Sequence, residues 1–245
     1  MPTPTSDRTT ARIVGWLFIG TFVFSIPGYL LYGPLLDHPA YVLGSGHDTQ
    51  ITLGAFLEIL TAICNIGTAV ALYPVARRYS HRVALGYVAT RVLESTIIVA
   101  GIVSVLSVLT LRQQFAGTGA DAGTLTIAGQ TLVAFHDWTF LLGPGFCAGI
   151  GNGLLLGYLM YVSGLLPRRM AIFGLVAGAF AFVAATGALF DVYDRQSAPQ
   201  FLLTVPEMIW ELAFGIYLVA KGFRSPAVRR GAGAPYAPAP APALG

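Results

Sequence analysis

An all-α integral membrane bundle of six transmembrane helices is the fold this sequence predicts, on three observations. Of 245 residues, 55% are hydrophobic and only 10% are charged, against about 25% charged in ordinary soluble domains. The mean hydropathy is +0.70. The apolar residues fall in six long blocks, and most of the charge sits in the short flanks between them. So little charge cannot cover the surface of a soluble domain. That excludes an ordinary cytosolic enzyme, a nucleic-acid binder and a disordered chain. The net charge of +3 does not argue for nucleic acid, because the basic residues cluster at block ends, as membrane topology requires. Unbroken apolar runs point to helices; barrel strands would alternate over about 10 residues.

Each block meets the length of about 20 residues needed to cross about 30 Å of hydrocarbon. The first, 13–36, carries no charge and follows Arg8 and Arg12. It is too long for a cleaved signal peptide and reads as a retained anchor. The second, 51–76, is broken only by Glu58, and the third, 83–111, holds Arg91 and Glu94. The fourth, 131–166, has Asp137 near its start. The fifth is 171–190, and the sixth, 198–220, contains Glu207 and Glu211. The turns at 79–82 and 167–170 are short, which makes blocks two and three, and four and five, antiparallel neighbours. Segment 37–50 is longer and holds His38 and His47. Segment 113–130 is rich in Gly and Thr and is expected to be a mobile loop. The organisation is then a flank at 1–11, a six-helix domain at 12–223, and a tail at 224–245. The tail is basic, then an Ala-Pro repeat whose composition cannot form a core.

Orientation follows from the Lys and Arg bias. Arg8, Arg12, Arg77, Arg78, Arg82, Arg168, Arg169, Lys221, Arg224, Arg229 and Arg230 fall on one side, against Arg112 and Arg195 on the other. Both termini are therefore expected in the cytoplasm, with the protein in the cytoplasmic membrane. Cys64 and Cys147 lie inside apolar blocks without a CxxC spacing, so neither a disulfide framework nor a cysteine zinc site is expected.

Glycines mark the packing faces. Gly145, Gly149, Gly153 and Gly157 recur every fourth residue in block four, and Gly174 and Gly178 share that spacing in block five. Such stripes let backbones approach closely and predict a tight four–five hairpin; a groove for a flat ligand or a lipid tail is the alternative. The string Gly149-Ile-Gly-Asn-Gly153 is no dinucleotide loop, because it lies inside an apolar helix with no strand before it. Pro144 and Pro206 are expected to kink their helices.

Function concentrates in the ionisable residues within the blocks, which are costly in lipid and mark sites by default. At about 1.5 Å per residue, Glu58, Arg91, Glu94, Glu207 and Glu211 all reach one layer near the midplane. Arg91 and Glu94 are three apart, and Glu207 and Glu211 four apart, so each pair shares a helix face. Glu58, Thr61, Asn65 and Thr68 form a polar stripe that should face protein or water. Four carboxylates against one guanidinium leave an excess that a low-dielectric site cannot hold unpaired, so some stay protonated or a cation joins them. The candidate ligand- or proton-binding set is Arg91, Glu94, Glu58, Glu207, Glu211 and Asn65. One reading is a small carrier or ligand-binding protein in which Arg91 anchors an anionic group and the glutamates exchange protons. A second is a structural or accessory protein whose ion pairs only order the bundle. A third is an intramembrane lipid-modifying enzyme with a glutamate as acid or base. No nucleophile motif is present, so no catalytic residue is assigned. No cofactor is expected, and no nucleic acid; the partners are membrane lipids and a small-molecule ligand, with the oligomeric state open. His136 and Asp137 read as a polar entrance to helix four. With His38 and His47 they show no metal-ligand spacing, so no metal is expected.

At these residues the chain resembles a bacterial family of multi-pass membrane proteins, domain of unknown function 4386. The likeness rests on Arg91-Val-Leu-Glu94, on Gly157-Tyr-Leu through Gly164-Leu-Leu-Pro-Arg-Arg to Gly174, and on Glu211 through Lys221-Gly222. It covers roughly Arg12 to Phe223 and leaves out the Ala-Pro tail. The resemblance implies a six-helix bundle in a bacterial cytoplasmic membrane. It implies no substrate.

Overall fold

The computed structural model describes residues 4–38, 40–44, 46–115, 118–195 and 197–224, with the side chains of residues 4–6 left aside. The expected tail, with Arg229 and Arg230, lies outside the described residues. Among the described residues, six helices are long and apolar enough to cross a membrane. They are α1 (Pro4–Leu31), α2 (Asp48–Ala76), α3 (His81–Phe115), α4 (Ala122–Ser163), α5 (Arg168–Leu189) and α6 (Ala198–Lys221). In hydrocarbon a helix is the local solution that satisfies every backbone N–H and C=O without water. Long runs of Leu, Val, Ile and Ala supply the surface that such a helix shows to lipid.

Each helix packs on its sequence neighbours, and α6 returns to α1, so the bundle closes as a ring in chain order. The joints are built locally. Ser80 accepts a hydrogen bond from the Val83 N–H and starts α3. Gly164, at φ +68°, ends α4 in the left-handed conformation, and Pro167 caps the start of α5. Near the basic end, Arg78 donates to both Asp7 carboxylate oxygens at 2.9 and 3.0 Å, tying α1 to the α2–α3 turn.

The described boundaries correct three expectations. Block one does not run unbroken to 36: α1 stops at Leu31, and a separate turn, Gly33–Leu36, follows. Segment 37–50 contains a 3-10 turn at Tyr41–Leu43, and α2 begins at Asp48. Segment 113–130 is not a loop throughout, because α4 begins at Ala122. The physical reason is a cap. The Thr124 N–H and hydroxyl donate to Asp121 at 2.7 and 2.8 Å and satisfy groups a helix start leaves open. The same bonds hold the Asp121 carboxyl below the usual range. The cap's contribution is therefore present above the unfolded carboxylate pKa of about 3.9 and fades as pH falls through the folded value. Asp121→Ala should raise amide exchange over 122–126 at neutral pH, and acidification should do the same to the parent chain. Equal exchange in both proteins would discard the cap.

Packing is uneven along the bundle axis. The largest apolar cluster fills the basic half. There Phe18, Leu72, Tyr87, Leu156, Leu159, Trp210 and Phe214 are buried together. Phe18 meets Phe214 edge-on at 4.9 Å, and Trp210 stacks on Phe214 at 5.5 Å. A second cluster, Tyr32, Leu35, Ile51, Ile102, Val105 and Val108, binds the turn that follows α1 to α2 and α3 at the other end. Between α4 and α5 at that end Leu141, Ala185 and Ala188 form a small buried group, with Phe146 and Tyr193 packed against it. The bundle is thus plugged on its basic side and hollow toward the opposite side.

Candidate functional site

The hollow is a cavity of about 680 Å³ to which all six helices contribute. Its wall includes every residue of the candidate set: Glu58 and Asn65 from α2, Arg91 and Glu94 from α3, and Glu207 and Glu211 from α6. Helical spacing explains the convergence. Residues three or four apart stay on one face, so α3 presents Arg91, Glu94 and Ile98 together, and α6 presents Thr204, Glu207, Met208 and Glu211.

At the floor, Arg91, Glu94 and Asn65 form a closed ring of hydrogen bonds. Arg91 Nη1 donates to Glu94 Oε2 at 2.7 Å, and its Nη2 donates to Asn65 Oδ1. Asn65 Nδ2 completes the ring by donating to Glu94 Oε1 at 3.2 Å. All three are buried. The guanidinium also lies 6.0 Å over the Phe18 ring. Both terminal nitrogens of Arg91 are therefore engaged inside the protein. Its Nε has no hydrogen-bond partner.

The α6 carboxylates differ from one another. Asn152 Nδ2 donates to Glu211 Oε1 at 2.6 Å. Glu207 is 2% exposed, and among the described residues neither of its oxygens has a hydrogen-bond partner. It packs beside Gly153, where an added Cβ would sit 2.9 Å from Glu207 Oε2. A buried carboxylate with no donor is costly and calls for a proton or a cationic partner.

A second polar group lies toward the open end. His136 lines the cavity and is buried, well inside α4 rather than at a helix entrance. The earlier start of α4 is the reason. Tyr32 meets the His136 ring edge-on at 5.7 Å, and Glu58 lies within electrostatic reach of both. His136 Nδ1 has no hydrogen-bond partner among the described residues; Asp137 Oδ1 is 3.8 Å from that nitrogen. Gly101 makes the approach of α3 to α4 possible here, since an added Cβ would fall 2.5 Å from Thr139 Oγ1.

The glycine stripes fall at different distances from their neighbours. Gly153 and Gly178 touch backbone to backbone, and Gly149 lies against the Gly178 carbonyl and the Phe182 N–H. Gly157 faces the Leu175 N–H, with 3.1 Å to an added Cβ. Gly174 lies under the Trp210 indole, whose Nε1 donates to the Met170 carbonyl at 2.9 Å. Gly145 has ordinary room, its nearest neighbours being 3.5–3.7 Å away.

Two features escaped the sequence reading. From Leu141 to Cys147 and from Gly149 to Leu156, α4 winds as a π-helix, a wider coil that collects at functional sites. Pro144 lies in the first of these segments; its missing N–H removes one constraint on the ordinary hydrogen-bond ladder. Asn152, fully buried, is the second. Its signal was available: a polar amide within an apolar, glycine-rich span must find a partner.

A family model described as "Domain of unknown function (DUF4386)" matches residues 13–222. The chain belongs to this family. No curated protein and no solved structure matches it. In this DUF4386 chain the matched region runs from α1 through the end of α6, and so contains the whole cavity.

Proposed function

We propose that this multi-pass protein is a small carrier or ligand-binding protein of the bacterial cytoplasmic membrane, with both termini in the cytoplasm. The Lys and Arg bias supports the orientation. One observation supports the function: a cavity large enough for a drug-sized molecule, about 300–1,000 Å³, is walled by more carboxylates than its one guanidinium neutralises. The Arg91–Glu94–Asn65 ring engages both terminal guanidinium nitrogens and orders the floor, so the structural role and the binding role separate. Glu58, Glu207 and Glu211 are left to exchange protons or meet a cation.

The test uses the protein in lipid nanodiscs and a panel of drug-sized cationic, anionic and neutral amphiphiles. A ligand at 100 times its Kd stabilises a folded protein by about 2.7 kcal/mol. At least one class should raise the melting temperature saturably. Thr204→Trp, placed on the cavity wall, should abolish that shift. A panel without effect, or a shift that Thr204→Trp leaves intact, rejects the binding reading. In proteoliposomes with a trapped pH dye, the active class should move protons, and Glu207→Gln or Glu211→Gln should suppress the movement. Unchanged movement in both variants would reject proton exchange.

A further inference from the structure

We propose that the cavity accepts a single-chain or drug-sized amphiphilic amine, which enters sideways from the lipid between α1 and α6 and places its ammonium group on Glu207. This rests on the binding reading above and names the ligand class.

Three observations carry it. The first is the geometry of α1 and α6. They meet tightly in the basic half, where an added Cβ on Gly15 would fall 2.6 Å from the Gly215 carbonyl oxygen and Phe18 abuts Phe214. Toward the other end, Ile26 and Leu30 of α1 and Phe201 of α6 all line the cavity, yet they are 47%, 67% and 58% exposed. Side chains that border both the cavity and the outer surface mark the mouth of the cavity. That outer surface is the lipid-facing side of a spanning bundle, so the mouth is apolar and opens into hydrocarbon.

The second observation is the charge inside. Arg91 is paired, so an anionic headgroup finds no uncommitted terminal guanidinium nitrogen. Glu207 is buried, lines the cavity, and offers two carboxylate oxygens with no donor. An ammonium has three N–H donors and no acceptor, which complements such a carboxylate.

The third is size. About 680 Å³ suits a drug-sized molecule or one alkyl chain, and the surrounding Ile26, Ile98, Phe140 and Met208 give that chain an apolar bed.

The experiment uses the full chain in nanodiscs and three photoreactive probes of equal length, each with a mid-chain diazirine: dodecylammonium, dodecanol and dodecanoate. Dodecylammonium should label saturably, with adducts on α1 and α6 near Ile26, Leu30 and Phe201. The alcohol and the carboxylate should need at least tenfold higher concentrations. Glu207→Gln should weaken amine labelling at least tenfold, and Glu207→Asp should restore part of it. Both variants are compared only where their melting curves match the parent. Ile26→Trp, at the mouth, should slow labelling without changing its final extent. Butylammonium added from water should compete poorly.

Equal labelling by all three probes that is lost in Thr204→Trp overturns the cationic inference and leaves the binding reading standing. Amine labelling unaffected by Glu207→Gln likewise overturns it. Competition by butylammonium at the potency of the long-chain amine overturns entry from lipid. Absence of saturable labelling by any probe overturns both this inference and the reading beneath it.

Discussion

Arg91→Ala should cost the bundle about 3–5 kcal/mol, because it leaves Glu94 buried without its counter-charge. The loss exceeds that of an ordinary surface ion pair, worth about 0–1 kcal/mol. It also opens the hydrogen-bond ring, since Asn65 Oδ1 loses its donor from Arg91. The paired change Arg91→Met with Glu94→Met removes both charges and keeps most of the volume. It should recover most of the stability, as apolar replacement of buried ion pairs commonly does. Reversible unfolding in mixed micelles measures both variants. A single substitution within 1 kcal/mol of the parent would show that the pair does not hold the bundle together. Failure of the double variant to recover would show that the ring contributes more than charge cancellation.

Gly178→Val is the second large effect. Gly178 already touches the Gly153 backbone, so a branched side chain there has only backbone to displace. Overpacking within a core costs about 1–3 kcal/mol when side chains can yield; here α4 and α5 must separate, and the loss should reach or pass the top of that range. Gly145→Ala on the facing α4 stripe should be nearly neutral, because its neighbours leave van der Waals room. The contrast is the informative result. A gain in stability by both would mean that helix propensity, which favours Ala and Val over Gly, rather than the α4–α5 contact, governs these glycines.

The existence and order of six spans were legible because length and hydrophobicity alone decide whether a helix can cross a bilayer. Spacing also placed Glu58, Arg91, Glu94, Glu207 and Glu211 at a common depth, and all five line one cavity together with Asn65. What spacing could not supply was pairing. Whether Arg91 met Glu94 or Glu211 depended on the rotation of α6 against α3, and no single helix contains that information. His136 was misplaced for a simpler reason. Residues 118–130 look like turn material in Gly and Thr content, but Asp121 caps a helix there, and every position downstream moves deeper. The π-helical winding was hidden because Gly145, Gly149 and Gly153 satisfy a four-residue stripe in a narrow coil and nearly so in a wide one.

That winding gives α4 slack in the number of residues it contains, apart from their identity. A π-helix holds surplus residues per turn; removing one between Leu141 and Leu156 returns the coil toward 3.6 residues per turn and leaves the two flanks in nearly the same relative rotation. The ordinary α-helical stretch just before Leu141 has no such surplus, so a deletion there would swing everything on the Ala122 side, His136 included, by about 100°. The fourth span is in effect a shaft with a length of play in its middle, which can absorb a lost residue that its upper half cannot.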